Sequence, residues 1–236
     1  GVLDTADEAV DALAVIHNGS GVLTLTLDGA ARQPEDTLSI TGSGEVHLTV
    51  AGDVNLSNAD LAAVTQLTLQ EGANVSLTAE QLETLGTDAL LLAGEGATLN
   101  VVAFGEQALD TTLLPEGITL NVETAVGEFT LADTTDLSSI SSLVLLDETV
   151  LTMTAEQALQ LAGASISAGS DTAVNVTGVT QAHLDAGLND TLAAIGSEVT
   201  VGTVTLIEDV SLSGSEIHAA TVAGNFTLLG EDIRVD

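Results

Sequence analysis

The chain has 236 residues, and its 35 acidic side chains face only two basic ones, which gives a formal net charge of −33. Nucleic acids and anionic membranes are bound through lysine and arginine, so this composition excludes a nucleic-acid partner and an anionic lipid surface. Hydrophobic residues make up 45% of the chain but aromatic residues only 1%, which favours stacked aliphatic layers over an irregular globule or a disordered acidic chain.

The absence of cysteine means that stability must come from packing or from bound cations. No stretch reaches the ~18 apolar residues of a membrane-spanning helix, so we expect no membrane insertion. The chain begins at Gly1 in place of methionine and almost lacks trypsin sites. Together these features predict a processed protein that is extracellular or exposed on a cell surface.

The first predicted element is a helix over residues 4–16, because the apolar residues there recur on one stripe at helical spacing. A strand with leucine and threonine in alternation follows at residues 22–29. Residues 1–31 are therefore predicted to form a cap or docking segment. Residues 38–52 predict two further strands, separated by a turn at Gly42, Ser43 and Gly44.

Four segments repeat one pattern, an alternating strand followed by Ser or Thr with an acid or amide three positions later. They are residues 53–64, 74–86, 150–163 and 209–222, and the pairs are Ser57 with Asp60, Thr78 with Gln81, Thr154 with Gln157, and Ser213 with Glu216. This spacing is typical of a capping box at the start of a helix. Weaker copies occupy residues 98–109, 129–140 and 174–184, at irregular spacings of about 21 to about 36 residues.

A unit of this size cannot bury its own apolar face, so neighbouring units must stack. We therefore predict a mainly β fold, with residues 32–236 forming a single elongated β-solenoid-like repeat domain. Short helices are interspersed in it, and the N-terminal helix precedes it.

The segments LTAEQLETL and MTAEQALQLAG, set among Thr-rich strands of an acidic chain without cysteine, resemble repeat regions of bacterial surface-layer proteins and large secreted adhesins. The resemblance covers about half of the chain. It implies a structural or adhesive role outside the cell, and members of these families often bind calcium. The glycine-rich nonapeptide that some of them carry is not present, because the chain has no Gly–Gly pair.

Acidic doublets and the segment of residues 53–60 are the candidate metal ligands, because calcium takes six to eight oxygen atoms, many of them from carboxylates. The candidates are Asp53, Asn55, Asp60, Asp147 and Glu148. Residues 53–60 lack the glycine and the final glutamate of an EF-hand loop. The alternative interpretation is a solvated acidic rim together with a helix cap.

Other motifs point to structure rather than chemistry. Asparagines recur at matching places, some within glycosylation sequons, and we expect them to bond the neighbouring coil rather than to carry sugar. The set is Asn55, Asn74, Asn100, Asn121, Asn175 and Asn225. The four histidines are far apart, and neither a nucleophile elbow nor a dinucleotide fingerprint occurs. Trp and Tyr, the usual platforms for sugars, are absent. We therefore expect no enzymatic activity.

The leading hypothesis is a structural subunit of an extracellular filament, surface layer or matrix. Such a subunit would form a homo-oligomer or polymer through solenoid ends or strand edges, with calcium as the one expected cofactor. The alternative is an adhesin segment that binds a ligand or a sugar. A third hypothesis, ice or mineral binding by an ordered threonine array, is disfavoured because the Thr-x-Thr pairs are unevenly spaced.

Overall fold

The computed structural model describes residues 12–28, 37–86, 89–107, 109, 111, 114–207, 211–212, 227–229 and 234–235. Contacts divide the chain into two compact units, the first formed by residues 1–104 and 110–122 and the second by residues 105–109 and 123–236. The predicted boundary at residue 31 lies outside the described residues and stays a prediction.

The first unit contains strands β1 to β9, helix α1 and the start of β10. Their bounds are β1 Ala12–Ile16, β2 Leu23–Asp28, β3 Thr37–Thr41, β4 Val46–Ala51, β5 Asp53–Asn55, β6 Val64–Leu69, β7 Asn74–Thr78, α1 Ala79–Leu85, β8 Leu90–Leu92, β9 Thr98–Phe104 and β10 Thr119–Thr124. One sheet has the order β2-β4-β6-β8, a second series runs β5-β7-β9-β10, and β1 pairs with β3.

In the second unit the described residues form the remaining strands and three helices. They are β11 Glu128–Thr130, β12 Ile140–Leu145, β13 Val150–Thr154, α2 Ala155–Gln160, β14 Ser165–Ala168, β15 Ala173–Val179, α3 Gln181–Asp185, α4 Leu188–Gly196, β16 Thr200–Leu206, β17 Ser211–Leu212, β18 Thr227–Leu229 and β19 Arg234–Val235. One sheet has the order β11-β13-β15-β16-β18, while β12 pairs with β14 and β17 with β19.

The fold is mainly β, as predicted, and its sheets are parallel. Paired residues lie between 18 positions apart, as for Val46 and Val64, and 28 positions apart, as for Val176 and Val204. A parallel partner at this distance requires a crossover between the two strands, because a tight hairpin can join only antiparallel strands.

Rows of aliphatic side chains form the cores of the sheets. In the first unit Leu25, Leu48, Leu67 and Leu90 stand in register on four successive strands, and all are buried. In the second unit Met153, Val176 and Val204 form a similar row. Because alternate residues of a strand point to opposite faces, each row lines one face of its sheet. Among the described residues Phe104 is the one fully buried aromatic side chain, so leucine and valine fill these layers.

The predicted N-terminal helix is wrong in its last five residues, which form β1. Parallel pairing of Ala12–Ile16 with Thr37–Thr41 fixes an extended backbone, and this tertiary pairing overrides the helical periodicity of the sequence. The earlier residues of that prediction lie outside the described part. The two strands predicted in residues 38–52 are confirmed as β3 and β4, although each pairs with other strands rather than with its neighbour.

Two of the predicted capping boxes are confirmed and one is wrong. Thr78 with Gln81 and Thr154 with Gln157 begin α1 and α2. Ser57 begins no helix, because its N–H bonds the side chain of Asn55 in a turn. Ser213 and Glu216 lie outside the described residues.

Within the described part of the chain, no helix combines the length and the apolar character needed to cross a membrane.

Candidate assembly surface

The outer faces of the sheets carry aligned polar side chains. In the first unit Thr26, Thr49 and Thr68 stand side by side on β2, β4 and β6, and all three are half-buried. The next outward row is mixed, with His47 between Thr24 and Gln66. A uniform two-dimensional hydroxyl lattice is therefore not formed on this face.

Asparagines connect successive strands. Asn100 on β9 donates to the Oδ1 atom of Asn74 at 2.6 Å, and Asn121 on β10 donates to that of Asn100 at 3.0 Å. In the second unit the Oδ1 atom of Asn175 accepts from the N–H of Thr203 at 2.8 Å. We expected such asparagines to lie in turns and to bond the backbone of the next coil. Asn175 does accept a main-chain bond from the neighbouring strand, but Asn74, Asn100 and Asn121 bond one another's side chains, and all four lie within strands. Asn55 bonds within its own turn.

Glutamine side chains join the capping-box helices α1 and α2 to main-chain carbonyls 22 to 25 residues earlier. The Oε1 atom of Gln157 accepts from the N–H of Thr154 at 2.9 Å, and its Nε2 donates to the carbonyls of Ala132 at 2.8 Å and Thr135 at 3.1 Å. Gln157 is only 3% exposed. Gln81 makes the same three bonds, from Thr78 and to Leu56 and Ala59. We call each of these arrangements a glutamine clamp.

The two clamps belong to an internal repeat in which equivalent residues are 76 positions apart. Equivalent pairs include Leu56 with Ala132, Ala59 with Thr135, Asp60 with Asp136, Gly72 with Glu148, Thr84 with Gln160, and Gln81 with Gln157. The repeat preserves main-chain geometry, because Gly72 and Glu148 both have positive φ angles, +67° and +60°. It also preserves a side-chain turn, because Asp60 and Asp136 each accept from the N–H two residues ahead.

Exposed glutamates occupy one corner of the first unit. Glu71, Glu95 and Glu116 each lie three residues before a strand, and the three strands are the neighbours β7, β9 and β10. Each is followed by a glycine with a positive φ angle, a backbone conformation that residues with a Cβ atom rarely adopt. Neighbouring strands are ~4.8 Å apart, so these carboxylates stand in a row along the corner, which we call the glutamate row.

The predicted metal ligands occupy separate surroundings. In the first unit Asp53 and Asp60 are exposed, Asn55 bonds the N–H of Ser57, and Asp60 bonds that of Ala62. In the second unit Glu148 is exposed, and the Oδ1 atom of Asp147 accepts from the N–H and Oγ of Ser170.

Within the described residues, no three His, Asp or Glu side chains are grouped so as to hold a metal ion. Asn55 and Asp60 accept bonds within their own turns, whereas Asp147 accepts from Ser170, 23 residues later in the chain. Calcium binding remains a prediction.

The structural role of His183 was not predicted from the sequence. His183 accepts at Nδ1 from the N–H of Thr180 at 3.1 Å, which completes a third capping box at α3. The usual signature has Glu or Gln at this position, so the sequence pattern did not identify it. His47 lies beside Glu45 on the surface, with Nε2 2.9 Å from Oε1, and His218 lies outside the described residues.

Sheet edges are the remaining surfaces suited to assembly. Strand β8 ends the order β2-β4-β6-β8 in the first unit, and β14 has β12 as its strand partner in the second. The two edges are equivalent in the internal repeat, since each follows a capping-box helix. The exposed edge of a sheet offers unpaired N–H and C=O groups to an incoming strand.

Comparison with known proteins found no matching family model, curated protein or solved structure. The function must therefore be inferred from the chain's own geometry.

Proposed function

We propose that the protein is a structural subunit of an extracellular or cell-surface assembly, folded as a β-solenoid and associating with itself through its ends or strand edges. The observation that carries this proposal is the parallel pairing of strands at intervals of 18 to 28 residues. Each coil of a solenoid pairs with the next, and a terminal coil or sheet edge presents a template for another subunit.

Charge opposes this association. Each subunit carries −33, and Arg32 and Arg234 are the only arginines that can offset acids at a contact. At ~0.15 M salt the Debye length is ~8 Å, so charges close to the contact dominate the repulsion. Carboxylates there must be protonated, bridged by divalent cations or kept away from the interface. We infer that calcium and acid pH strengthen the association.

Sedimentation velocity of the purified chain tests the proposal. We expect large species with millimolar calcium or at acid pH, and smaller species with chelator at neutral pH and low salt. A monomer under all of these conditions would refute self-association. An assembly that ignores chelator, pH and salt would show that apolar stacking suffices and that the repulsive charges lie elsewhere.

A charge-matched pair of variants identifies where the repulsion arises. Replacing the three acids of the glutamate row by glutamine removes three charges from one corner. Replacing Glu80 and Glu83 by glutamine and Asp28 by asparagine removes three exposed charges elsewhere in the first unit. If the row lies at the contact, only the first variant will associate in chelator. Equal behaviour of the two variants would place the contact away from this corner.

A further inference from the structure

Strand β14 presents an open backbone edge in the second unit. Among the described residues β12 is its one strand partner. The N–H of Gly169 donates to the carbonyl of Leu145 at 2.8 Å. Alternate residues of a parallel strand bond to opposite sides, so Ile166 and Ala168 direct their N–H and C=O groups away from β12. Those are the groups through which an additional strand can pair.

Within the described residues, the chain does not supply that strand. The interval from β12 to β14 is 23 residues. The same interval beyond β14 leads to residues 188–191, which form the first turn of α4 instead of a strand. Strand β15 does pair with β16, so the chain after β15 continues one sheet, while no described strand pairs with the other edge of β14.

A cleft of about 440 Å³ separates the start of β14 from α4. Ser165 and Ile166 line it on the strand side, while Thr191 and Ala194 line it on the helix side. Small side chains at Ala164 and Ala194 leave room for a backbone to approach. Two exposed carboxylates, Asp190 and Glu198, also line this cleft. The cleft therefore combines strand-pairing groups with negative charge.

We propose that the edge of β14 binds an extended peptide segment of another protein and that Asp190 and Glu198 select a segment with a basic side chain. Addition of a strand to an open sheet edge is a general mode of peptide recognition, in which main-chain bonds give affinity and side chains give specificity. A second copy of this chain fits this particular edge poorly, because Asp190 and Glu198 would face further acidic side chains with only two arginines to offset them, which leaves the chain ends and the other sheet edges for self-association. The proposed binding does not depend on self-association.

Fluorescence anisotropy with labelled synthetic peptides tests the proposal on the full chain. The probe is a peptide of about seven residues in which valine and threonine alternate around one central lysine. N-methylation of alternate residues on one side of the peptide blocks pairing with β14, while the same modification on the other side does not. We expect the first modification to weaken binding at least about tenfold and the second to have little effect. Equal binding of the two modified peptides would overturn strand addition.

Protein variants test the role of charge. Asp190→Asn with Glu198→Gln should weaken binding of the lysine peptide about tenfold and reduce its salt dependence. The matched control, Glu128→Gln with Glu156→Gln, removes two exposed charges of the same unit outside the cleft and should bind like the unmodified chain. Equal binding of a peptide with glutamate in place of lysine would overturn the charge selection. A bound fraction of the probe that falls as the chain concentration is raised would identify a second copy as the occupant and also overturn the proposal.

Discussion

The glutamine clamp at Gln157 should contribute measurably to the free energy of unfolding. In Gln157→Glu the side chain keeps the acceptor for the N–H of Thr154 but loses both donors, so the carbonyls of Ala132 and Thr135 lose their partners. Two lost bonds cost about 1 kcal/mol each, and a buried carboxylate that faces two carbonyls adds about 2 kcal/mol more. We expect the free energy of unfolding to fall by about 4 kcal/mol at pH 7.

The pH dependence of this variant has a defined sign. Burial raises the folded-state pKa of the introduced carboxyl above its unfolded value, so the cost of ionising it is absent below about pH 4 and grows as the pH rises towards that folded-state pKa. The protonated carboxyl can also return one donor. Urea unfolding followed by circular dichroism should therefore show a smaller loss of unfolding free energy at about pH 4 than at pH 7.

Gln160→Glu is the matched control. The Oε1 atom of Gln160 accepts from the N–H of Leu137 at 2.8 Å, and its side chain is half-buried. A carboxylate can accept the same bond, so we expect a change below about 1 kcal/mol. If Gln157→Glu and Gln160→Glu destabilise the chain equally, the donor bonds of the clamp do not carry the stability assigned to them.

Three further predictions concern folding stability. Leu82→Asp and Leu161→Asp each place a carboxylate at a site only 2% exposed, so each should lower the free energy of unfolding in urea by more than about 3 kcal/mol. An unchanged midpoint would show that the leucine side chain is not buried. Thr135→Ala removes a buried hydroxyl without a partner and introduces the residue of the equivalent first-unit position, so it should stabilise the chain by about 1 kcal/mol; a lower melting temperature would contradict this. Glu148 has a positive φ angle, which glycine adopts without strain, so Glu148→Gly should stabilise the chain by about 0.5–1 kcal/mol and raise its melting temperature. An unchanged or lower melting temperature would contradict this.

Local patterns were the part of the fold that the sequence predicted well. The boxes at Thr78 and Thr154 depend on a spacing of three residues, and their glutamines can accept and donate at once. At Ser57 the same spacing failed, because the side chain of Asn55 accepts from the N–H of Ser57 and the carboxylate of Asp60 accepts from that of Ala62 in competing turns. At α1 and α2 the glutamine amide also donates to two main-chain carbonyls 22 to 25 residues earlier, a tertiary contact that the three-residue spacing alone does not reveal.

Tertiary pairing accounts for what the sequence could not predict. The stripe in residues 4–16 has helical spacing, and only the partner β3 makes Ala12–Ile16 extended. The side-chain roles of Asn55, Asp60 and Asp147 were equally hidden, because oxygen atoms suited to calcium are also suited to accepting main-chain N–H bonds, whether two or 23 residues away. The 76-residue repeat was present in the sequence, but irregular strand intervals within it obscured its period.

Those irregular intervals have a small thermodynamic cost. The entropy of closing a flexible loop varies as the logarithm of its length, so extending the interval from 18 to 28 residues costs only about 0.4 kcal/mol. A single misplaced side chain in a row such as Leu25, Leu48 and Leu67 costs several times as much. Insertions at the corners are therefore nearly neutral, and sequence drift should lengthen or shorten the corners while the inward-facing positions remain aliphatic.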